Sequence, residues 1–241
     1  GEDNKMDVKR QYFDLVKQGI SDAYAANSDR MKNIAHMFYE CMDNGGVVQL
    51  FGVKHGEEFV NELNYRAGGI APFHAFKLTN LVLKELIEQK DIDSGAIWSD
   101  MNVIDKFYSV TETDDRDMYC FVSFYGDEPL LEEWAKRCKA KGQKVVAVVN
   151  MRSYRGHLLE WCDAYLDMNA AEPDVAMEIN GVKVGQLSST VTNVMAQMIT
   201  AEVYNCFIEA GKEAPVLLSA NIKGADVHNN SLTDPYGRRV R

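Results

Sequence analysis

The stretch "VVQLFGVKHGEE" (47–58) places a lysine and a histidine, Lys54 and His55, between two glycines, Gly52 and Gly56, directly after an apolar run. Apolar strand, short glycine-bounded loop and polar helix start is the order in which open α/β proteins build anion sites. The helix start offers free N–H groups and the positive end of a dipole. Two further loops have the same setting. "SFYGDEP" (123–129) follows the strand-like "MYCFVS" and carries Ser123 and Gly126, and "NMRSYRG" (150–156) follows "KVVAVVN". In a parallel sheet these loops lie beyond the carboxyl ends of the strands, where ligands bind. The chemistry so indicated is recognition of a small anion such as a phosphate ester. The cations at hand are Lys54, Arg152 and Arg155, with the hydroxyls of Ser188, Ser189 and Thr190 as further donors. Glu57, Glu58, Asp127 and Glu128 stand beside the loops. They repel a dianion if they point inward, whereas in the first turn of a helix, facing solvent, they stabilise it against the dipole.

The elements that must hold these loops are legible. Apolar residues three to four apart predict a helix over 7–27. A second helix is expected over 29–42, capped by Ser28 or Asp29 and stopped at Asn44-Gly45-Gly46. Strands are expected at "VVQLFG", "MYCFVS", "KVVAVVN" and near Ala164, with helices over 57–66, 79–90 and "EPLLEEWAKRCKAKG". In between, "AIW" reads as a short strand and "NVIDKFYSV" as a short helix. Strands alternating with helices mean a parallel sheet covered on both faces. Asn180-Gly181 signals a hairpin. A long apolar helix over 189–210 follows, with Ser188 or Ser189 as its natural cap, and then an irregular tail ending in "GRRVR", expected to fray. The organisation expected is a helical arm over 1–45 and an αβα domain over 46–241, one domain overall.

Composition narrows the function. Hydrophobic residues make up 46% and charged residues 26% of 241, with a net charge of −10. That field disfavours a nucleic-acid surface. No apolar run reaches the ~20 residues of a membrane span, and no secretory signal is visible at the start. Five scattered cysteines without C-x-x-C spacing suit reduced thiols in the cytoplasm better than disulfides or zinc; Cys120 reads as core filler. No motif calls for a metal or a cofactor.

Three segments together carry a family resemblance. "LFGVKHGEEFVNELNYRAGG" resembles the first signature of the sugar isomerase (SIS) domain proteins, and of a branch related to phosphoheptose isomerase in particular. "DVAMEINGVKVGQLSSTVTNVMAQMITAEVY" is similar to that branch's hairpin and long helix, and "PVLLSANIKGADVHNN" to its C-terminal segment. The resemblance implies a doubly wound parallel sheet in an αβα sandwich that binds phosphorylated sugars, forms a homodimer or homotetramer, and carries sites near subunit interfaces. It implies aldose–ketose isomerisation through an enediol, with Glu62 as proton-transfer base and His228 assisting. Glu62 is expected to share a face with Phe59 and Tyr65, which would bury it. His74 and Glu202 are lesser candidates. The chain also departs from the pattern. Tyr125 stands where the second serine of S-x-S-G belongs, and Gly56 where the first-loop serine belongs. Two alternatives therefore stay open: a non-catalytic sugar-sensing or regulatory module, and a binder of an unphosphorylated or amino sugar read by Asp127 or Glu128.

Overall fold

The computed structural model describes residues 7–240. The chain opens with α1 (Val8–Asp43), whose first turn is capped by Asp7 accepting from the Arg10 amide at 3.1 Å. It is one helix, where two were expected. Asn27, at the anticipated break, is fully buried. Its side-chain amide donates to the Ala23 carbonyl (2.9 Å) and to the Asp167 carbonyl (2.8 Å), and its oxygen accepts from the Asp167 amide (2.9 Å). With a mid-helix polar residue so satisfied, nothing calls for a cap at Ser28 or Asp29. The helix ends where expected, at Asn44, with Gly45 in the left-handed region (φ +82°).

β1 (Val48–Gly52) leads into α2 (Gly56–Leu63), β2 (Phe73–Ala75), α3 (Leu78–Leu83), α4 (Gln89–Asp93), a 3-10 turn over Ala96–Ser99, and α5 (Asn102–Val110). Three expectations are corrected here. The helix over 79–90 stops at Leu83: Glu85 takes a positive φ of 59°, and Leu86 donates back to the Leu81 carbonyl at 2.9 Å, closing the end as a Schellman motif. "AIW" is helical rather than extended. β2 was not anticipated; three residues directly after Pro72 give too short a pattern.

β3 (Met118–Val122), α6 (Pro129–Ala140), β4 (Val145–Val149) and β5 (Ala164–Asp167) complete the sheet. The hairpin β6 (Met177–Ile179) and β7 (Val182–Val184) precedes α7 (Ser188–Glu209). The hairpin turn has positive φ at both Asn180 (51°) and Gly181 (76°), as a two-residue primed turn requires. The tail is ordered, contrary to expectation: α8 (Ala225–Thr233) and a 3-10 segment over Asp234–Arg239 follow a β-bridge between Ile70 and Val216. Nor does "GRRVR" fray within the described residues. Arg239 places its guanidinium on the buried Asp117 carboxylate and donates to the Gly45 carbonyl at 3.2 Å, and Val240 is buried.

The five main strands are all parallel, in the order β2-β1-β3-β4-β5. Alternate strand residues feed two apolar layers. Val48, Leu50, Cys120, Val122, Val146 and Val148 face α1, α2 and α7. Phe51, Tyr119, Phe121, Val145, Ala147 and Val149 face the layer of α3, α5 and α6, packed around the fully buried Trp134. Both faces are covered, which is why the strands read as unbroken apolar runs. Cys120 is core filler, and burial pushes its thiol up to about 12. α1 packs along α7, so the N-terminal helix shares the main core. No helix of the described residues is long and apolar enough to cross a membrane.

Candidate active site

β1 has β2 on one side and β3 on the other, so the chain leaves the sheet centre in opposite directions at this point. A crevice must open there beyond the carboxyl ends of β1 and β3. A cleft of about 340 Å³ occupies it, walled by the loop after β1 (Lys54, His55, Gly56), the loop after β3 (Phe124, Tyr125, Glu128), the segment Glu172–Asp174, and the first turns of α7 (Ser188, Ser189, Asn193).

The two loops are locked by close backbone approach. A β-carbon on Gly52 would lie 2.4 Å from the Gly56 carbonyl carbon, and one on Gly56 would lie 2.7 Å from the Val122 carbonyl oxygen. That oxygen accepts from the Val53 amide at 2.8 Å, extending the β1–β3 ladder into the loop. Gly56 is therefore a packing requirement here. Lys54 sits in the left-handed region at φ 52°, which turns the chain into α2. The amides of Gly56, Glu57 and Glu58 donate to the carbonyls of Val53, Lys54 and His55, so the start of α2 has few free donors.

Ser123 is fully buried. Its hydroxyl accepts from the Gly126 amide (2.9 Å) and donates to the Glu128 carboxylate (2.6 Å). Gly126 has φ +66°, and a β-carbon there would press on the Tyr154 ring at 2.5 Å. The sequence allowed first-turn acids to face solvent. Glu128 does not: it lines the cleft, and burial raises its carboxyl above the ordinary carboxylate range, with the Ser123 hydroxyl and, more weakly, Lys54 pulling the other way. Burial also raises Glu57, which does not line the cleft, while Glu58 is exposed. Asp127 is committed to Arg155 at 2.7 Å, and Arg155 lies over the Tyr125 ring at 4.0 Å. Arg155 is thus already paired, and Arg152 donates to Asn169 at 3.2 Å.

At α7 the expected serine cap is replaced. Leu187 is the cap residue, and its side chain makes no capping bond. Asp174 reaches across, accepting from the Leu187 (3.3 Å) and Ser188 (3.1 Å) amides and from the Ser188 hydroxyl. Ser189 lines the cleft and Thr190 does not.

Of the residues singled out from sequence, the fold gathers Lys54, His55, Gly56, Ser188 and Ser189 around one cleft. Gly52, Ser123 and Gly126 do not line it: Gly52 packs against Gly56, and Ser123 holds the Gly126 amide and the Glu128 carboxylate. Glu62 and His228 do not line it. Glu62 accepts from Gln197 (2.7 Å) and Arg66 (2.9 Å). α2 ends at Leu63, so Tyr65 leaves the helix face, takes φ 48° and stands exposed, and the expected burial of Glu62 by Tyr65 does not occur. His228, on α8, donates through Nε2 to the Val216 carbonyl at 3.0 Å. Glu202 lies further along α7, and His74 is in β2, bonded to Gln49.

Sequence reasoning missed Glu172 and Asp174, which sit in a loop without periodicity. A bond from Ser153, together with one from the Tyr125 hydroxyl (2.9 Å), holds the Glu172 carboxyl below its ordinary value. The cleft is therefore two-sided: Lys54 and His55 against Glu128, Glu172 and Asp174. It can orient a polar ligand by charge, and Glu128 offers a carboxyl suited to proton transfer. Among the described residues no group of three or more His, Cys, Asp or Glu side chains is placed to hold a metal.

Crevice position, strand order and glycine-locked loops are those of a sugar isomerase-type αβα domain. Residues 11–150, more than half of the chain, match the SIS domain family model, and the chain belongs to that family. It is 28% identical over 246 residues to a UPF0309 protein of Geobacillus kaustophilus, covering 95% of this chain and 94% of that protein. A UPF0309 protein of Listeria monocytogenes is 26% identical, with 95% and 96% covered. Among solved structures, a phosphoheptose isomerase from Francisella tularensis superposes with a TM-score of 0.55 at 16% identity, over 82% of this chain and 96% of that one. The Vibrio vulnificus NanR protein complexed with ManNAc-6P gives 0.54 at 13% identity, over 95% and 69%. These likenesses establish the fold.

Proposed function

We propose that the cleft binds a phosphorylated sugar or sugar derivative and isomerises it between aldose and ketose forms. The observation that carries this reading is the convergence of Lys54 and His55 with Ser188 and Ser189, from opposite halves of the chain, on one crevice at the switch point of the sheet. Its volume, about 340 Å³, falls within the usual range for small-molecule sites. In this reading the phosphate lies towards Lys54, His55 and Ser189, and the sugar hydroxyls towards Glu128, Tyr125 and Glu172. Solved relatives of the same fold, named as a phosphoheptose isomerase or complexed with ManNAc-6P, support the ligand class.

Isomerisation moves a proton from the carbon beside the carbonyl to the carbonyl carbon. A carboxylate takes it from the first and returns it to the second, while the hydroxyl proton passes to the former carbonyl oxygen. Glu62 is the proposed base. It stands one turn beyond Phe59 on α2, and its partner Gln197 one turn beyond Asn193 on α7, and both Phe59 and Asn193 line the cleft. His228 does not line the cleft of its own chain, and in this reading it serves the site of a second copy in a homodimer.

Calorimetry and thermal shift with hexose, heptose and amino-sugar phosphates, each beside its unphosphorylated counterpart, test the ligand. Stabilisation by a phosphate ester, weakened about tenfold in Lys54→Ala, is expected; no response to any of them overturns the reading. Glu62→Gln should abolish turnover and keep affinity. Turnover that survives in Glu62→Gln and disappears in Glu128→Gln moves the base to Glu128. A ligand bound without turnover by the wild-type chain supports a sensing role instead.

Ser123 favours a second reading. Its hydroxyl is spent on Glu128, so the loop after β3 presents a carboxylate where the family pattern presents hydroxyls. Such a wall suits an amine. Tight binding of an amino sugar, and weaker binding of its phosphate, would select this reading over the first.

A further inference from the structure

A second cleft, of about 840 Å³, lies beside the edge strand β2 and shares no lining residue with the first. Lys77 and Lys84, flanking α3, and Arg238, from the C-terminal 3-10 segment, contribute three cations, against the single carboxylate of Glu112. Three positive charges to one negative is the reverse of the balance of the whole chain, whose net charge is −10. None of the ion pairs within 4.0 Å among the described residues involves Lys77, Lys84 or Arg238. Burial raises the Glu57 carboxyl, and Lys77 is close enough to pull the other way.

Among the cleft's neutral polar groups, beside Asn80, Tyr108, Ser109 and Thr111, is His74. The Gln49 side-chain amide donates to Asp117 at 3.0 Å, which turns its oxygen towards His74, 2.7 Å from Nδ1. Nδ1 must then carry the proton, and Nε2 is left as an acceptor. Asp117 is in turn held by Arg239, the residue next to Arg238. One buried chain, Arg239–Asp117–Gln49–His74, thus fixes both the imidazole and the base of the C-terminal segment that brings Arg238 to the rim. Unpaired cations from separate segments, converging on a cavity with an oriented acceptor, form a site for a multiply charged anion.

We infer that this second cleft binds a small molecule carrying two or more phosphate groups, with the phosphates on Lys77, Lys84 and Arg238 and a ligand hydroxyl or amine donating to His74 Nε2. The site is independent of the isomerase reading and of the first cleft.

The test is titration of the full chain with inorganic pyrophosphate and, separately, with ATP, followed by backbone amide shifts and calorimetry. Saturable binding with a Kd below about 1 mM and shifts confined to residues 74–84, 107–112 and 238 are expected. Lys84→Ala/Arg238→Ala, two exposed positions, should weaken both probes by about tenfold or more and leave thermal stability unchanged. Lys54→Ala, in the first cleft, should change neither affinity. Binding that fails to saturate, that survives the double substitution, or that moves with Lys54 overturns the inference.

Discussion

The α-carbon of Gly56 faces the carbonyl oxygen of Val122 so closely that a β-carbon at 56 would stand 2.7 Å from it. The residue that departs from the family's first-loop serine is thereby tied to the adjoining strand, because the same carbonyl accepts from Val53 at 2.8 Å. Restoring the serine forces the loop off β3. Gly56→Ser should lower unfolding free energy by about 1–3 kcal/mol, read by urea denaturation, and should not improve affinity for any phosphate ester. A variant as stable as the parent would show that the loop yields freely.

Glu128 gives a pH signature. Burial raises its carboxyl above its ordinary 4.5, so the folded chain holds this proton more tightly than the unfolded chain. The resulting stabilisation is complete below 4.5 and is lost as pH rises through the folded-state value. The wild type should therefore gain stability relative to Glu128→Gln as pH falls from 7 towards 4.5. Urea unfolding of both proteins across that window checks it, and a gap that moves the other way contradicts the buried placement.

His74 gives the opposite slope. Burial lowers it from 6.5 to about 4, although Asp117 pulls it upward. Its neutral form is the folded form, so its contribution is present above 6.5 and drains away as pH falls towards 4. Relative to His74→Gln, the wild type should lose up to about 3 kcal/mol over that range. Nitrogen shifts of the imidazole should report the Nδ1–H tautomer at neutral pH; an Nε2–H tautomer would break the Gln49 assignment.

Arg239 lies two residues from the end of the chain, yet it closes a buried charge. Asp117 is 2% exposed and also accepts from the Val47 amide (2.9 Å), the Gln49 side chain (3.0 Å) and the Asp114 amide (2.9 Å). These three donors soften the loss of the cation. Arg239→Ala should cost about 3 kcal/mol, the lower end for breaking a buried pair, whereas Arg238→Ala should cost nothing measurable. Equal effects of the two substitutions in thermal melts would show that the C-terminal turn is held some other way.

Much of the fold was legible because its cause is local. Parallel strands buried on both faces show as apolar runs, the Asn180-Gly181 turn needs two residues at positive φ, and the glycines around 52–56 mark where backbone comes close. Features decided by distant partners were not legible. α1 runs unbroken because Asn27 finds β5, far along the chain. The tail is ordered because Arg239 finds Asp117, and α7 begins without a serine cap because Asp174 supplies one from the loop before the hairpin.

The site divides in the same way. Sequence by itself determined the residue types of the two loops, their place after the central strands, and the departures at Gly56 and Tyr125, since composition and order are properties of the chain. Only tertiary structure decided which way the acids point. Glu128 turns inward to take the Ser123 hydroxyl, Asp127 turns outward to Arg155, and Glu62 is drawn aside by Gln197 and Arg66. A carboxylate's direction is set by the donors the fold brings to it, and those donors come from other segments.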